Sequence, residues 1–126
     1  MRASPETLDW IRSYYELMDA DRLDDCEQYF TPDATITIAH HPPLVGWTAI
    51  DRSMRAGLAV VKRIDHEVMN AWEAEDGVLV FEVVAHYTLA DDRKVDVPGV
   101  VLAEIRDGRF ASQRIGADLS PVYGQL

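Results

Sequence analysis

Within the first 38 residues of this chain, the spacing of the hydrophobic residues changes from the period of a helix to the strict alternation of a strand. A first helix is predicted from about Pro5 to Asp19, because Ser4-Pro5-Glu6 is typical of a helix start and apolar residues follow at helical spacing. Those apolar residues are Leu8, Ile11, Tyr15 and Met18. A second short helix is predicted to stop at Pro32, which cannot continue it. Alternation of apolar residues with threonine then predicts a strand over 34–39.

The rest of the chain supplies one more helix and four strands. The third helix is predicted to follow Gly46, with Thr48 as its cap and Asp51 in the capping-box position. Strands are predicted over 64–75, 78–89, 95–106 and 109–117, joined by the turn signals Asp76-Gly77 and Asp107-Gly108. Pro98-Gly99 indicates a bulge or an edge. This order predicts an α+β fold: a cone-shaped α+β barrel of three N-terminal helices packed on a strongly curved, mostly antiparallel sheet around a pocket.

Composition narrows the class of protein. At 126 residues the chain is expected to form a single domain spanning 1–126. Its net charge of −10, from 12 basic and 22 acidic residues, argues against nucleic-acid and membrane-surface partners. The single cysteine, Cys26, excludes an intrachain disulfide, and we expect it to be a buried, inert thiol. Because no apolar run approaches 18 residues, we expect a cytoplasmic protein.

The predicted strand 64–75 places two polar residues on a covered face. Alternation puts His66 and Asn70 together with Ile64, Val68 and Trp72, whereas the other face is mostly charged. Covered polar side chains need hydrogen-bond partners, or else they line a cavity.

The order of elements resembles that of the nuclear-transport-factor-2-like superfamily over nearly the whole chain. The segments that carry the likeness are Asp19-Ala20-Asp21-Arg22-Leu23-Asp24 and Phe30-Thr31-Pro32-Asp33-Ala34. The resemblance implies a cystatin-like cone with a ligand pocket. It also implies pairing through the outer face of the sheet, so we expect a homodimer or homotrimer.

Three branches of that superfamily place their functional groups differently. Tyr14 matches the tyrosine of ketosteroid isomerases, but Ile38 and Val101 stand where that branch has carboxylates, which argues against isomerisation of steroids. Asp118 matches the essential aspartate of SnoaL-like polyketide cyclases, whereas their partner histidine also falls near Val101.

The scytalone dehydratase-like branch resembles this chain more closely. It shares a tyrosine and an aspartate five residues apart, here Tyr14 and Asp19, and a His-x-x-x-Asn pattern, here His66 and Asn70. The resemblance implies that the aspartate orients the histidine, which removes and returns a proton during loss of water. A second histidine or an acid often completes that site, and His86 lies near its position.

The same residues suit acid–base chemistry without the resemblance. An imidazole both takes and returns a proton near neutral pH, and a carboxylate on one ring nitrogen fixes its tautomer. A phenol can donate a hydrogen bond to a carbonyl oxygen as enolate charge develops. We therefore expect a cofactor-independent and metal-independent dehydratase, isomerase or cyclase that acts on a small, largely apolar carbonyl or hydroxy compound. Its catalytic residues would be His66, Asp19 and Tyr14, and its pocket would include Trp10, Ile38, His40, Met54, Val68, Asn70, Trp72, His86 and Asp118.

Each of these residues also has a structural interpretation. His66 could be hydrogen-bonded in the core, Asp19 could end its helix, and Tyr14 could belong to an aromatic core. His40-His41 could be half of a metal site, although a loop at the pocket mouth suits adjacent residues better. His86 could face solvent or a subunit interface, and Asp118 could end its strand. The alternative function is a non-catalytic ligand-binding or assembly module of the same fold.

Overall fold

The computed structural model describes residues 1–124, in which helices pack on one side of a curved six-stranded sheet. The helices are α1 (Pro5–Asp19), a 3₁₀-helix (Leu23–Tyr29), α2 (Trp47–Ala59) and the short α3 (Ser120–Tyr123). The strands are β1 (Phe30–Ile38), β2 (Leu44–Val45), β3 (Val61–Glu73), β4 (Val78–Leu89), β5 (Lys94–Arg106) and β6 (Arg109–Ala117). The α+β cone predicted from the sequence is confirmed.

The sheet runs in the order β2-β1-β6-β5-β4-β3. Strands β1 and β6 pair in parallel, and each of the other neighbouring pairs is antiparallel. Strands β2 and β3 stand at opposite edges, so the curved sheet stays open.

Helix α1 has the bounds and the cap that the sequence predicts. The Ser4 hydroxyl accepts a hydrogen bond from the Thr7 backbone N–H (3.2 Å), and Pro5 occupies the first turn. Its buried side chains, Ile11, Tyr14, Tyr15 and Met18, form one stripe against the sheet. The last helical residue, Asp19, is thereby carried to strand β3.

Three local predictions need correction. The second helix ends at Tyr29 and β1 begins at Phe30, so Pro32 lies inside a strand, within a stretch where the register to β6 shifts. Helix α2 has Gly46 at its N-cap with φ of 83°, and the predicted Thr48 cap is wrong because Thr48 is already helical. Asp51 instead pairs with Arg55 (2.9 Å).

Pro98 lies in the part of strand β5 that pairs with β4 on one side and has no neighbouring strand on the other. It pairs with Val84 of β4, while the pairing of β5 with β6 begins at Gly99 and Ala117. Residues 94–98 are thus a local edge, as predicted, which is where a strand tolerates proline.

Two apolar clusters hold the helices on the sheet. The larger one joins α1 and the 3₁₀-helix to the sheet through Phe30, Phe81 and Phe110, each at most 2% exposed. The smaller one surrounds Tyr87 and Ile64 near α3. Cys26 is buried in the larger cluster, and burial raises its pKa to about 11, in keeping with the inert thiol that was predicted. Among the described residues, no helix combines the length and apolar character needed to cross a membrane.

Candidate active site

A large cavity lies between the inner face of the sheet and helices α1 and α2. Its volume is about 1260 Å³, above the range of about 300–1,000 Å³ typical of pockets for drug-sized molecules. Apolar side chains from α2 and every long strand form most of its wall, including Ile36, Ile38, Ile50, Met54, Leu58, Val83, Val101 and Ile115. The wall also carries polar side chains, and those beneath helix α1 that are candidates for chemistry are His66, Tyr14, Tyr15 and Gln113.

The Asp19 carboxylate holds His66 at two points. Asp19 Oδ1 lies 2.6 Å from His66 Nδ1, and Asp19 Oδ2 accepts a hydrogen bond from the His66 backbone N–H at 2.7 Å. The side chains of His66 and Asp19 are 11% and 14% exposed. Because an ionised carboxylate can only accept, Nδ1 donates, and the neutral ring keeps its lone pair on Nε2. Within residues 1–124, Nε2 makes no hydrogen bond and is the ring nitrogen left for a ligand in the cavity.

Tyr15 fixes the plane of the His66 ring. The two rings stack with centroids 4.5 Å apart and planes 28° apart. Tyr15 is itself held edge-on by Tyr14 (4.8 Å) and Phe81 (6.2 Å). Burial, and secondarily the Asp19 charge, raise the pKa of Tyr15, so its hydroxyl stays protonated. The imidazole is thus restrained by a carboxylate at its edge and by an aromatic ring on its face.

Tyr14 contributes to both the core and the cavity wall. It is 1% exposed and contacts Tyr29, Phe30 and Phe110, yet it also lines the cavity. Burial raises its pKa well above the ordinary value, Tyr15 adds to the shift, and the neighbouring Gln113 amide opposes it. A phenol with a raised pKa remains a hydrogen-bond donor at neutral pH rather than a base.

The predicted placement of Asn70 and Trp72 on the cavity face is wrong. The register of β3 against β4 shifts between Val68 and Asn70, and a residue added there turns the following side chains to the opposite face. Asn70 donates to Glu82 Oε1 (3.1 Å) and accepts from Arg2 (3.0 Å), and the Arg2 guanidinium lies over the Trp72 ring at 5.9 Å. The inward position after the shift belongs to Ala71, which is 3% exposed.

Three further predicted pocket residues lie elsewhere. Trp10 packs on Tyr29 and Phe110, and Val68 is buried in the larger apolar cluster, so both strengthen the core rather than the cavity wall. His86 lies on the outer face, where Nδ1 is 2.8 Å from Asp96 and Nε2 is 2.9 Å from Glu67. It occupies that face because side chains alternate along β4 and Ala85 takes the inward position.

Four predicted residues are on the cavity wall: Ile38, Met54, His40 and Asp118. His40 is exposed, and its ring stacks on that of His41 with centroids 4.6 Å apart. Asp118 is exposed, and its Oδ1 accepts a hydrogen bond from the Ser120 backbone N–H (3.0 Å). Hydrogen bonds from the Ser120 side chain first and the Ser120 backbone N–H second lower the pKa of Asp118, which matches the strand-ending interpretation.

Sequence reasoning missed Tyr15 and Gln113 as cavity residues. Tyr15 was assigned to the apolar stripe of α1, and nothing in its spacing indicates that His66 would stack on it. Gln113 had a detectable signal: it alternates with Ile115 and Ala117, which places its amide on the inward face of β6.

The family of the chain follows from a direct match. The SnoaL-like domain model matches residues 11–113, which span α1 to β6 and include every polar side chain around His66 described above. The chain belongs to the SnoaL-like domain family. No curated protein matches the sequence significantly.

Solved structures confirm the same fold at low sequence identity. A hypothetical protein from Catenulispora acidiphila with a ketosteroid isomerase-like fold, in complex with trimethylamine, has a TM-score of 0.81 and 18% identity, over 98% of this chain and 93% of that chain. TerC, co-crystallised with polyporic acid, has a TM-score of 0.79 and 14% identity over 94% and 95%. A candidate SnoaL-like polyketide cyclase from Jannaschia has a TM-score of 0.77 and 18% identity over 96% and 93%.

Proposed function

We propose that this SnoaL-like protein is a cofactor-independent acid–base enzyme that dehydrates, isomerises or cyclises a small, largely apolar carbonyl or hydroxy compound. The observation that carries the proposal is the Asp19–His66 pair: Asp19 Oδ1 lies 2.6 Å from Nδ1, which leaves Nε2 for a ligand in a mostly apolar cavity. An oriented imidazole with one free nitrogen is the group that general acid–base catalysis needs.

The roles divide between three side chains. His66 Nε2 removes a proton from the carbon next to the substrate carbonyl, so the C–H pair of electrons becomes the C=C bond of an enol or enolate. Tyr14, kept protonated by burial, donates a hydrogen bond to the carbonyl oxygen as its charge grows. Asp19 holds the ring in one tautomer while the charge on it changes.

The second half of the reaction returns the proton. In a dehydration, the C–O bond to a β-hydroxyl breaks and the imidazolium gives its proton to the leaving oxygen, which departs as water. In an isomerisation, the proton goes to another carbon of the same enolate. Either path uses the same His66 nitrogen twice, and His66 therefore ends in the state in which it began.

The relatives are consistent with a small-molecule ligand. TerC was co-crystallised with polyporic acid and the Catenulispora acidiphila protein is in complex with trimethylamine, so proteins of this fold occur with small organic molecules bound. The cytoplasmic location, the single-domain organisation and the homodimer or homotrimer expected from the sequence stay predictions.

The test is deuterium exchange from D₂O into the α-carbon of a panel of one-ring and two-ring ketones, 2-tetralone among them, and loss of water from the corresponding β-hydroxy ketones. We expect His66→Gln to lower the rate by about 10²–10⁴-fold while ligand affinity stays within about tenfold. His86→Gln is the matched control and should keep the wild-type rate, because His86 lies on the outer face of the sheet.

Two results would contradict the proposal. Equal exchange by wild type and His66→Gln would remove His66 from the chemistry. Tight binding of panel members without exchange or water loss would favour the alternative, a non-catalytic binding module that uses the same cavity.

A further inference from the structure

The short helix α3 lies against the cavity where strand β6 ends. Its side chains Val122 and Tyr123 pack on the smaller apolar cluster. That cluster contains Ala85 and Tyr87 of β4, which line the cavity and are 8% and 6% exposed. Because His66 pairs with Ala85 in the sheet, α3 covers the part of the cavity wall beside the candidate catalytic histidine.

The Tyr123 side chain ties α3 to helix α2. The backbone hydrogen bonds of residues 122–124 go to residues 119–120 of the same turn, so they do not hold α3 to its neighbours. Within residues 1–124, the hydrogen bond from α3 to α2 is that of the Tyr123 hydroxyl, which donates to the Gly57 carbonyl at 3.1 Å. The Tyr123 ring also meets the Tyr87 ring edge-on, with centroids 6.1 Å apart. A short segment held in this way can open locally while the sheet stays folded.

The sequence leaves space at Gly57 for the Tyr123 hydroxyl. Glycine is unfavourable inside a helix, yet Gly57 lies within α2, and its φ is not positive, so no special backbone conformation requires a glycine there. A methyl group on Gly57 would lie 3.2 Å from Tyr123 Oη, nearer than ordinary van der Waals contact. The missing side chain is thus what allows the hydroxyl to reach the helix backbone.

We propose that α3 is a lid on the cavity, and that the hydrogen bond between Tyr123 and Gly57 is the latch that sets how often the lid opens. The turn in which Asp118 Oδ1 accepts a hydrogen bond from the Ser120 backbone N–H is the hinge. An open lid admits a ligand, and a closed lid keeps water from the cavity wall beside His66. The lid acts on entry and release, so it holds whether the cavity catalyses a reaction or only binds a ligand.

The test measures how often the lid opens and needs no ligand. Ala85→Cys places a thiol beneath α3, and 4,4′-dithiodipyridine, a neutral two-ring disulfide, reacts with that thiol only when it is exposed. In this background, Tyr123→Phe removes the hydroxyl and keeps the ring. We expect the thiol to react about threefold to tenfold faster, because loss of one hydrogen bond raises the open fraction by about that factor. Tyr29→Phe, on a tyrosine that packs on the larger cluster, is the matched control and should leave the rate unchanged.

Cys26 separates opening of the lid from unfolding of the whole chain. It is buried in the larger cluster, whereas α3 packs on the smaller one, so its thiol reacts only when the larger cluster opens. We expect Tyr123→Phe to leave the reaction rate of Cys26 unchanged. An equal rise at both thiols would mean a general loss of stability and would overturn the proposal.

Gly57→Ala tests the latch from the side of α2. The added methyl group crowds Tyr123 Oη, so we expect the thiol beneath α3 to react faster, as it does in Tyr123→Phe. Once Tyr123→Phe has removed the hydroxyl, Gly57→Ala should raise the rate by less than about twofold. The two changes are therefore expected to be non-additive, as changes to the two partners of one contact are.

Three further results would overturn the proposal. One is a thiol that, with Ala85→Cys alone, reacts as fast as it does in urea-unfolded protein, since that part of the wall would then already be open. Another is an equal rate with and without Tyr123→Phe. The third is a Gly57→Ala effect of the same factor in both backgrounds. If Ala85→Cys does not fold, Val97→Cys places the thiol on β5 in the same cluster and on the same cavity wall, and the same rates decide.

Discussion

His66 and His86 lie on neighbouring strands, and each is paired with carboxylates, yet their environments differ. The His66 side chain is 11% exposed and uses only Nδ1, bound to Asp19. The His86 side chain is 41% exposed and uses both nitrogens, bound to Asp96 and Glu67. A carboxylate beside an imidazole is therefore insufficient to indicate catalysis; the ring must also keep one nitrogen available in a sheltered cavity.

The register of the sheet explains the difference. His66 pairs with Ala85, the residue before His86, so the two imidazoles are close in the sheet but point to opposite faces. Helix α1 covers the inner face and delivers Asp19 from its last turn, whereas the outer face is covered by no element of the described chain and leaves Asp96 67% exposed. One carboxylate is thus sheltered with its histidine, and the other is solvated.

The largest difference in turnover and in stability is expected between the variants Asp19→Asn and Asp96→Asn. An asparagine at 19 keeps the shape but can accept with one oxygen only, so either Nδ1 or the backbone N–H of His66 loses its partner. We expect turnover to fall by about 10²–10⁴-fold and the free energy of unfolding by about 1–3 kcal/mol. Asp96→Asn should leave turnover unchanged and lower the free energy of unfolding by less than about 1 kcal/mol.

The measurements are α-carbon exchange rates and urea unfolding of both variants. If Asp19→Asn exchanges protons as wild type does, the carboxylate only anchors the end of α1 to β3. If Asp96→Asn lowers turnover as strongly as Asp19→Asn, the outer histidine is part of the site and the distinction between the two faces fails.

A smaller effect on turnover is expected when the aromatic ring that stacks on His66 is removed. Tyr15→Leu removes the stacking partner at 4.5 Å and lets the imidazole turn about its side-chain bonds. We expect turnover to fall by about 10–10²-fold, because small misplacements of a catalytic group are costly, and the melting temperature to fall as packing is lost. Tyr15→Phe keeps the ring and should retain turnover within a few fold. A rate for Tyr15→Leu equal to that of Tyr15→Phe would show that Asp19 alone orients the imidazole.

How far the sequence could predict this site depends on the regularity of the strands. Alternation places His66 inward because β3 is regular from Ile64 to Val68, and the helical stripe of α1 fixes where Asp19 falls. The same rule failed for Asn70 because the register shift after Val68 follows no glycine or proline, and sequence carries no other common signal of a bulge. The burial of the Gln113 amide beside Tyr14 depends on which side chains surround it in three dimensions, so alternation could give its face but not its neighbours.

The smallest expected effect is a dependence of stability on the protonation of His86. Hydrogen bonds to Asp96 first and Glu67 second raise the pKa of His86 in the folded protein above its value in the unfolded chain. Protonated His86 therefore stabilises the fold at pH values below the unfolded pKa of about 6.5, and this contribution disappears as pH rises through the folded pKa. Because the side chains are largely exposed and screened, we expect less than about 1 kcal/mol, measured as the difference in unfolding free energy between wild type and His86→Gln at pH 5.5 and at pH 8.5. The difference should be larger at pH 5.5 and shrink with added salt. A difference that grows toward pH 8.5 would mean that neutral His86 is the favoured form, and the two carboxylates would then not act on it as their positions indicate.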